Sequence, residues 1–399
     1  MDTRFTSFAS LLEKLPGITR EGLLIHAMRI PGSAKALLLP RQLAYYYSLP
    51  EASPPGSQPA ANAQPSSPPA KPAGFVCGVS GRNQLPAVNF CQDIRAWRAR
   101  LERRGIKVVK AASFSGRSRR DHIRYARKIG YPVVLKPVIR NTLFEEFVKD
   151  IKSDAELEFL FRQSRELKKQ KASDLAASPY AMTRLSEDHV DEHGRKFLPL
   201  SVRYMVEKQQ PGQLVRLVVA QGQVVAALAK PEAGRPWQLA QGLDDTYVKL
   251  AEKVGRVLQG MAFLRVDLKV DDPSAPAADD NHAVIAVSEH LKCYKLLEDH
   301  PEIAWAVLAQ VAECAETDLD STMTREIELS GVSNGERLKQ ELTHAAALLN
   351  LAIDLKELDQ VTGRVEFRAT GPLWALAGLT WIYANGLGIN EVPTSVTCR

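Results

Sequence analysis

The 399-residue sequence lacks the cysteine arrangements that mark metal or disulfide sites. Its five cysteines show no CxxC pair and no other metal-ligand spacing. Long apolar runs are also absent, since the longest, Leu373–Ala384, is shorter than the 20 or so residues that a membrane helix needs. Near the N-terminus no apolar segment typical of secretion signals occurs, because Glu13 and Lys14 interrupt an amphipathic stretch. We therefore expect a protein of the reduced cytoplasm that does not enter a membrane.

A stretch without aromatic or β-branched residues indicates a linker. Residues Pro50–Ala73 contain eight of the 24 prolines and no aromatic or β-branched residue. Such a segment cannot bury enough apolar area to offset ordering, which costs about 1–2 kcal/mol per residue for the backbone. It predicts a disordered, semi-extended linker. The linker would follow an N-terminal α/β unit, residues 1–49, for which the pattern predicts a helix over 5–15, a strand over 23–30 and a helix over 34–49.

The charge is unevenly distributed. The chain carries a formal net charge of +6, and residues Arg95–Lys128 are dense in arginine and lysine with only Glu102 and Asp121 opposing them. This density is either a solvated surface whose rim attracts anionic ligands or a nucleic-acid footprint. Because no aromatic interleaving and no nucleic-acid motif accompanies it, the sequence favours the first interpretation and argues against nucleic acid as a partner.

The most informative stretch is Asp121–Val138. Apolar residues recur at helical spacing as far as Ile129, and Gly130 stands where a helix C-cap belongs. A short apolar strand, Val133–Leu135, then leads to Lys136. A lysine at this point is either a surface side chain after a core strand or a flexible cation that reaches a bound anion.

The phrase ARKIGYPVVLKP around Lys136 resembles the IGYPVVVKP phrase of ATP-grasp carboxylate–amine ligases such as cyanophycin synthetase and the ribosomal-protein glutamate ligases. The resemblance covers about Asp93–Pro301. It implies an α+β fold, the two-lobed ATP-grasp fold, over residues 74–330. It also implies ATP as the nucleotide, with Lys136 on its phosphates. Residues 331–399 resemble no family, and their pattern predicts a small α+β module or an interaction surface.

A second cluster follows in the order that the family shows. The segment PLSVRYMVEKQQPGQLVRLVVAQGQVVAALAKPEA alternates strand patterns around Pro-Gly and Gln-Gly turns, which predicts a β-meander. It resembles the family's VER…G…R region. The resemblance implies that Glu207 contacts adenine or ribose, that Arg216 faces the phosphates or an acyl phosphate, and that Lys230 is a second cation. Alternatively, Glu207 and Arg216 form a cross-strand ion pair on an exposed sheet, worth about 0.2–1 kcal/mol.

The two strands that would bind the metal differ in sequence from those of the family. FLRVDLKV resembles the GVDI strand, which implies that Asp267 is a magnesium ligand. The next strand reads VIAVS where the family has VIEVN, so Ala286 replaces a glutamate and Ser288 an asparagine. Magnesium requires oxygen ligands in near-octahedral order, so we expect a weak or absent magnesium site. Glu289 should point to the opposite face of the strand unless a bulge turns it.

Two functional hypotheses therefore stay open. In the first, the chain is a ligase in which ATP phosphorylates a small-molecule or peptide carboxylate and an amine attacks the acyl phosphate, with the four charged residues Lys136, Arg216, Lys230 and Asp267 at the site. In the second, it is a catalytically degenerate ATP-grasp protein that binds or scaffolds a partner enzyme. The retained residues favour the first hypothesis. The substituted metal strand favours the second, as does the loop after Lys136, which has no glycine to close over the phosphates.

The C-terminal third carries no motif. Its pattern predicts helical structure over 291–329, a helix over 336–351, a strand over 364–369, an apolar helix over 374–384 and a final strand near 392–397. Trp374 and Trp381 are seven residues apart, two turns along one helix face, and are more often core residues than a ligand platform.

Limited proteolysis tests the linker. We expect the first cleavage within Pro50–Ala73, because that segment has no means of packing. The fragments would be identified by mass spectrometry over a time course. Early cleavage within the predicted core strands Val133–Lys136 or Leu264–Asp267, with the linker intact, would overturn both the linker and the strand predictions.

Overall fold

The computed structural model describes residues 7–15, 17–40, 42–48, 73–76, 78–115, 118–139, 148–159, 189–190, 196–197, 203–230, 237–278, 280–293, 300–314, 317–387 and 389–399. The helices are α1 (Phe8–Lys14), α2 (Gly17–Arg29), α3 (Leu85–Gln92), α4 (Ile94–Glu102), α5 (Arg119–Ile129), α6 (Asp245–Val257), α7 (Pro301–Ala312), α8 (Gly335–Leu349) and α9 (Leu373–Asn385). The strands are β1 (Ser33–Leu39), β2 (Leu43–Ser48), β3 (Ala73–Val76), β4 (Val79–Ser80), β5 (Ala111–Ser115), β6 (Val133–Pro137), β7 (Val148–Ile151), β8 (His189–Val190), β9 (Lys196–Phe197), β10 (Arg203–Lys208), β11 (Gln213–Ala220), β12 (Gln223–Lys230), β13 (Gln238–Leu239), β14 (Phe263–Val270), β15 (His282–Ser288), β16 (Thr322–Ser330), β17 (Ala352–Asp359), β18 (Arg364–Pro372) and β19 (Ser395–Cys398). No described helix has both the length and the apolar character that a bilayer crossing requires.

The chain divides into two compact units. The first contains residues 1–81 and 304–399, and the second contains residues 82–303. The first unit is built on an eight-stranded sheet in the order β17-β18-β16-β19-β1-β2-β3-β4. Because β1 pairs with β19, the two terminal segments, treated as separate modules from sequence, share one sheet.

Two local predictions in the first unit are wrong, and a third is only partly confirmed. The predicted strand over 23–30 lies within helix α2, and the predicted helix over 34–49 is the β1–β2 hairpin. Helix α2 is buried along nearly its whole described length, which removes the periodicity that separates helix from strand. Strands β1 and β2 are buried on alternate residues, but runs of leucine and tyrosine hide this alternation in the sequence. The helical prediction over 291–329 is confirmed for α7 and wrong where β16 begins, and residues 294–299 and 315–316 lie outside the described residues. Strand β17 was not predicted; it is an edge strand whose alternation of charged and apolar residues is short and broken by a bulge.

Helix α9 forms the centre of the first unit. Its residues from Leu373 to Ala384 are all buried, which confirms that Trp374 and Trp381 are core residues. Helix α2 packs closely against it at a glycine: a Cβ added at Gly22 would lie 2.5 Å from the indole ring of Trp381. A larger residue there would force the two helices apart.

The second unit contains two antiparallel sheets joined by one chain segment. The five-stranded sheet has the order β13-β12-β11-β14-β15, and the four-stranded sheet has the order β5-β10-β6-β7. Residues 107–110 run between them: Val108 forms a parallel bridge to Val284 of β15, and the chain continues directly into β5. This segment therefore links β15, at the edge of one sheet, to β5, at the edge of the other.

Helices cover one face of each sheet. Helices α4 and α6 pack on the five-stranded sheet through alternate residues of β11 and β14, including Leu217 and Val266. Helix α5 packs on the four-stranded sheet through Val133 and Leu135 of β6 and their neighbours. Since strand side chains alternate between faces, the intervening residues point to the face of each sheet that these helices do not cover.

Most sequence predictions in the second unit are confirmed. Helix α5 ends at Ile129 and is capped by Gly130, whose φ of +78° suits glycine. The β11–β12 hairpin turns at Gln221 and Gly222, and the strands around Asp267 and Ala286 are β14 and β15. The predicted linker lies outside the described residues except Ala73, which begins β3, and most of the glycine-free loop after Lys136, residues 140–147, lies outside them too.

A histidine is buried in the core of the first unit. His26 of α2 is fully buried, with Nδ1 2.8 Å from the Tyr46 hydroxyl and Nε2 2.7 Å from the Thr380 hydroxyl. Its ring centroid lies 5.8 Å from that of Trp381. Burial away from water disfavours the charged ring and lowers the pKa of His26 from 6.5 to about 3.

This burial predicts an acid sensitivity of the first unit. Between pH 6.5 and about pH 3, the unfolded chain binds a proton at His26 that the folded chain excludes. The free energy of unfolding therefore decreases as the pH is lowered, and at pH 5 it is about 2 kcal/mol below its value at pH 7. The measurement is hydrogen exchange of α2 and α9 amides at pH 7 and pH 5. His26→Gln should remove this part of the pH dependence, whereas His344→Gln, exposed on α8, should not. Equal pH dependence in the native chain and His26→Gln would contradict the prediction.

Candidate functional site

Lys136 lies near the end of β6 on the face turned away from α5. Its neighbours Val133 and Leu135 pack against α5, so strand alternation directs Lys136 to the opposite face. The register pairs Lys136 with Met205 of β10, and Met205 belongs to the core beneath the five-stranded sheet. Lys136 is buried, with 6% of its surface exposed. Burial of a lysine requires a partner, because an unpaired charge away from water is costly.

Glu207 of β10 is that partner. The Lys136 ammonium lies 2.6 Å from Glu207 Oε1, and the Arg98 guanidinium of α4 lies 3.0 Å from Oε2. Arg98 also donates to the Val109 carbonyl in the segment that joins the two sheets. Glu207 is only 2% exposed. One carboxylate therefore holds a strand, a helix and the connecting segment together.

Lys136 also reaches the other sheet. Its ammonium donates to the Ile285 carbonyl of β15 at 3.3 Å. The β14–β15 register shifts at this point, so that Asp267 pairs with Ala286 and Leu268 with Val284. Ile285 is the extra residue of a bulge, and a bulged residue leaves a ladder carbonyl free for another donor. The bulge therefore provides the contact by which Lys136 bridges the sheets.

A second charged cluster lies on the five-stranded sheet. Arg216 of β11 is paired in register with Asp267 of β14 and binds it bidentately, at 2.8 Å from Nε to Oδ1 and 3.1 Å from Nη2 to Oδ2. Both are buried. They project from the face opposite to Leu217 and Val266, which pack under α4 and α6.

Trp237 covers the arginine of this cluster. The guanidinium carbon of Arg216 lies 4.3 Å from the centre of the Trp237 ring, and the ammonium of Lys230 lies 5.8 Å from it. Cations over an indole face gain about 0.5–2 kcal/mol depending on desolvation. The tryptophan thus holds Arg216 and Lys230, from neighbouring strands, on one side of the sheet.

One buried residue of this cluster was missed by sequence reasoning. Arg265 of β14 is 4% exposed, and its Nε lies 3.4 Å from Asp267 Oδ2. Its position two residues before Asp267, on the same face of the strand, is the signal that could have identified it. Asp267 is thus approached by two arginines.

The residues around Asp267 do not fit a magnesium ion. In register, Ala286 stands opposite Asp267 and Ser288 opposite Arg265, so these two positions of β15 supply no carboxylate. The Glu289 carboxylate accepts hydrogen bonds from Gln92 of α3 at 3.1 Å and from the Ser288 hydroxyl at 3.4 Å, and no hydrogen bond joins it to Asp267 in the part of the chain that the structure describes. Among the described residues, no group of three or more histidine, cysteine, aspartate or glutamate side chains could hold a metal ion.

The predicted site residues form two groups within the second unit. Lys136 and Glu207 lie at the junction of the sheets, and Arg216, Asp267 and Lys230 lie on the five-stranded sheet. The cross-strand pair weighed from sequence, Glu207 with Arg216, is not formed, because each binds another partner and both are buried. β15 and β11 are separated by one strand, so their backbones lie about 10 Å apart.

Glu207→Gln should destabilise the second unit strongly. The change leaves Lys136 and Arg98 buried without a carboxylate, which typically costs about 3–5 kcal/mol. Urea unfolding of the full chain would measure the change. The control is Asp121→Asn, because Asp121 pairs with Arg124 on an exposed surface, where such pairs contribute below about 1 kcal/mol. If Glu207→Gln cost no more than the control, the buried carboxylate would not be the joint between the sheets.

Comparisons with known proteins gave structural likenesses only. No family model and no curated protein matches the chain. Among solved structures, it is similar to a RimK domain protein ATP-grasp from Sphaerobacter thermophilus, at 18% identity and a TM-score of 0.41, over 58% of this chain and 70% of that one. It is also similar to the ATP-grasp ligase PsnB in complex with the precursor peptide PsnA2 and AMPPNP, at 15% identity and a TM-score of 0.37, over 57% of this chain and 61% of that one. A third likeness is to D-alanine–D-alanine ligase from Bacillus anthracis with ATP, at 14% identity and a TM-score of 0.34, over 55% of this chain and 67% of that one. In structure, then, the chain is similar to ATP-grasp ligases.

Proposed function

We propose that residues 82–303 form an ATP-grasp-type unit that binds ATP and joins a carboxylate to an amine through an acyl phosphate. The observation that carries the proposal is the position of Lys136. Its ammonium lies between two antiparallel sheets, in contact with Glu207 of one and the Ile285 carbonyl of the other. A flexible cation at such a junction can reach the phosphates of a nucleotide bound between the sheets.

The reaction has two steps, and the cations of the site would act on the phosphoryl group. ATP transfers its terminal phosphoryl group to the substrate carboxylate, and ADP leaves. The amine then attacks the acyl phosphate and releases inorganic phosphate. Negative charge is spread over the phosphoryl oxygens during transfer, and Lys136, Arg216 and Lys230 are the cations that would stabilise it. The substrates would be a small-molecule or peptide carboxylate and an amine.

The ion pairs permit such an exchange of partners. Lys136 shares the Glu207 carboxylate with Arg98. If Lys136 turned to a phosphate, Glu207 would keep Arg98 and would not be left as an unpaired buried charge. Lys136 would give up its contact with the Ile285 carbonyl, but the contact of Arg98 with Glu207 and the Val109 carbonyl would stay in place.

A second candidate function has its own support. Asp267, the expected metal ligand, is bound bidentately by Arg216, and the positions opposite it and Arg265 hold Ala286 and Ser288. These features favour a catalytically degenerate protein that binds a nucleotide and acts as a binding or scaffolding partner of another enzyme. Such a protein would bind ATP without consuming it.

Two measurements separate the candidates. Calorimetry of the full chain with ATP, with and without magnesium, reports on nucleotide binding and its metal dependence. Phosphate release in the presence of panels of amines and carboxylates reports on turnover. Turnover that requires magnesium supports the ligase, and binding without turnover supports the degenerate protein. The double variant Ala286→Glu with Ser288→Asn adds the missing ligand types, so it should increase the magnesium dependence of ATP binding.

Lys136→Ala should weaken ATP binding about ten- to a hundredfold, since a hydrogen bond to a charged group contributes about 1.5–3 kcal/mol. Lys249→Ala is the matched control, because Lys249 is exposed on α6 and pairs with Asp245. Asp267→Asn should weaken binding much less if the site depends on protein cations. Unchanged ATP affinity in Lys136→Ala would refute the nucleotide site at this junction.

A further inference from the structure

Arg265 occupies the part of the site where a metal would be expected. Residues directly opposite each other in an antiparallel pair project on the same face. The register therefore places the side chains of Arg265 and Ser288 together, next to those of Asp267 and Ala286. All four lie on the face opposite to Val266 and Val287, which belong to the core under the helices.

Two guanidinium groups converge on one carboxylate in this place. Arg216 binds both oxygens of Asp267, at 2.8 and 3.1 Å, and the Nε of Arg265 lies 3.4 Å from Oδ2. At most 8% of each of these three side chains is exposed. Charges this well shielded from water interact more strongly than surface charges, because the effective dielectric constant is lower.

The same arrangement opposes a divalent cation. Magnesium would need the Asp267 oxygens at about 2.0–2.1 Å, but both oxygens already accept hydrogen bonds from Arg216. An ion there would also lie within a few ångströms of two guanidinium groups, and this repulsion would oppose its binding. The arginines themselves are suited to phosphate, since the planar guanidinium fork matches its oxygens in a bidentate manner.

We propose that Arg265, together with Arg216, takes the place of the divalent cation, so that the site binds the polyphosphate of a nucleotide as the free anion rather than as its magnesium complex. The identity of the ligand as a nucleotide rests on the function proposed above. The role of the two arginines rests on the contacts around Asp267. Arg265 thereby becomes a determinant of which form of the ligand is bound.

The test is calorimetric titration of the full chain with two probes, ATP and inorganic tripolyphosphate, each in EDTA and in excess magnesium. We expect both probes to bind in EDTA and excess magnesium to weaken their binding, because complex formation removes the free anion. Arg265→Gln should weaken both about ten- to a hundredfold in EDTA, the loss of a charge-assisted contact. Arg265→Lys should weaken the binding of both probes less, since lysine keeps the positive charge but lacks the planar guanidinium group.

The matched control is Arg256→Gln, because Arg256 is exposed on α6 and 3.9 Å from Glu252. It should leave the affinity of both probes unchanged. Circular dichroism checks that each variant is folded. If Arg265→Gln does not fold, the magnesium titration of the native chain still decides, since binding that strengthens with magnesium contradicts the inference.

The remaining outcomes separate this inference from the proposed function. ATP binding that requires magnesium and is unaffected by Arg265→Gln would overturn the inference and leave the nucleotide site standing. Tripolyphosphate binding that depends on Arg265, without ATP binding, would uphold the arginine site and refute the nucleotide. Binding of neither probe to the native chain under either condition would overturn both.

Discussion

The Glu207 carboxylate is the constraint on which the second unit depends. It accepts from Lys136 of β6 and from Arg98 of α4, and Arg98 in turn holds the Val109 carbonyl in the segment that connects the two sheets. Removing a carboxylate from water is costly unless its oxygens are satisfied. Here two cations satisfy it, and in doing so they fix a strand, a helix and the connecting segment relative to one another.

The buried charged residues lie on both sheets of the second unit. Lys136 contacts β15 at its bulge, and Arg216 stands two strands away on the face that α4 and α6 leave uncovered. Because Arg216, Arg265 and Asp267 are buried together, their charges act with little screening by solvent.

In the first unit the buried residues form an apolar core rather than a network of ion pairs. Helix α9 is apolar on all sides, and it is enclosed with α2 by an eight-stranded sheet to which both chain termini contribute. A neutral His26 satisfies the hydroxyl groups of Tyr46 and Thr380 inside this core. The unit therefore depends on contacts between residues about 350 positions apart in the chain, as in the His26–Thr380 pair.

Sequence alone determined the elements with strong local signals. Helix α5 with Gly130, the hairpin at Gln221 and Gly222, and the strands that carry Lys136 and Asp267 follow from periodicity, turn chemistry and the order of motifs. It also determined that Ala286 and Ser288 are poor metal ligands, since that depends on residue type. Only the tertiary structure decided which carboxylate each cation binds, that Arg265 joins Asp267, and that residues 34–39 and 43–48 form strands rather than a helix. These depend on strand register and on pairing between distant segments, and neither is encoded in a local window of sequence.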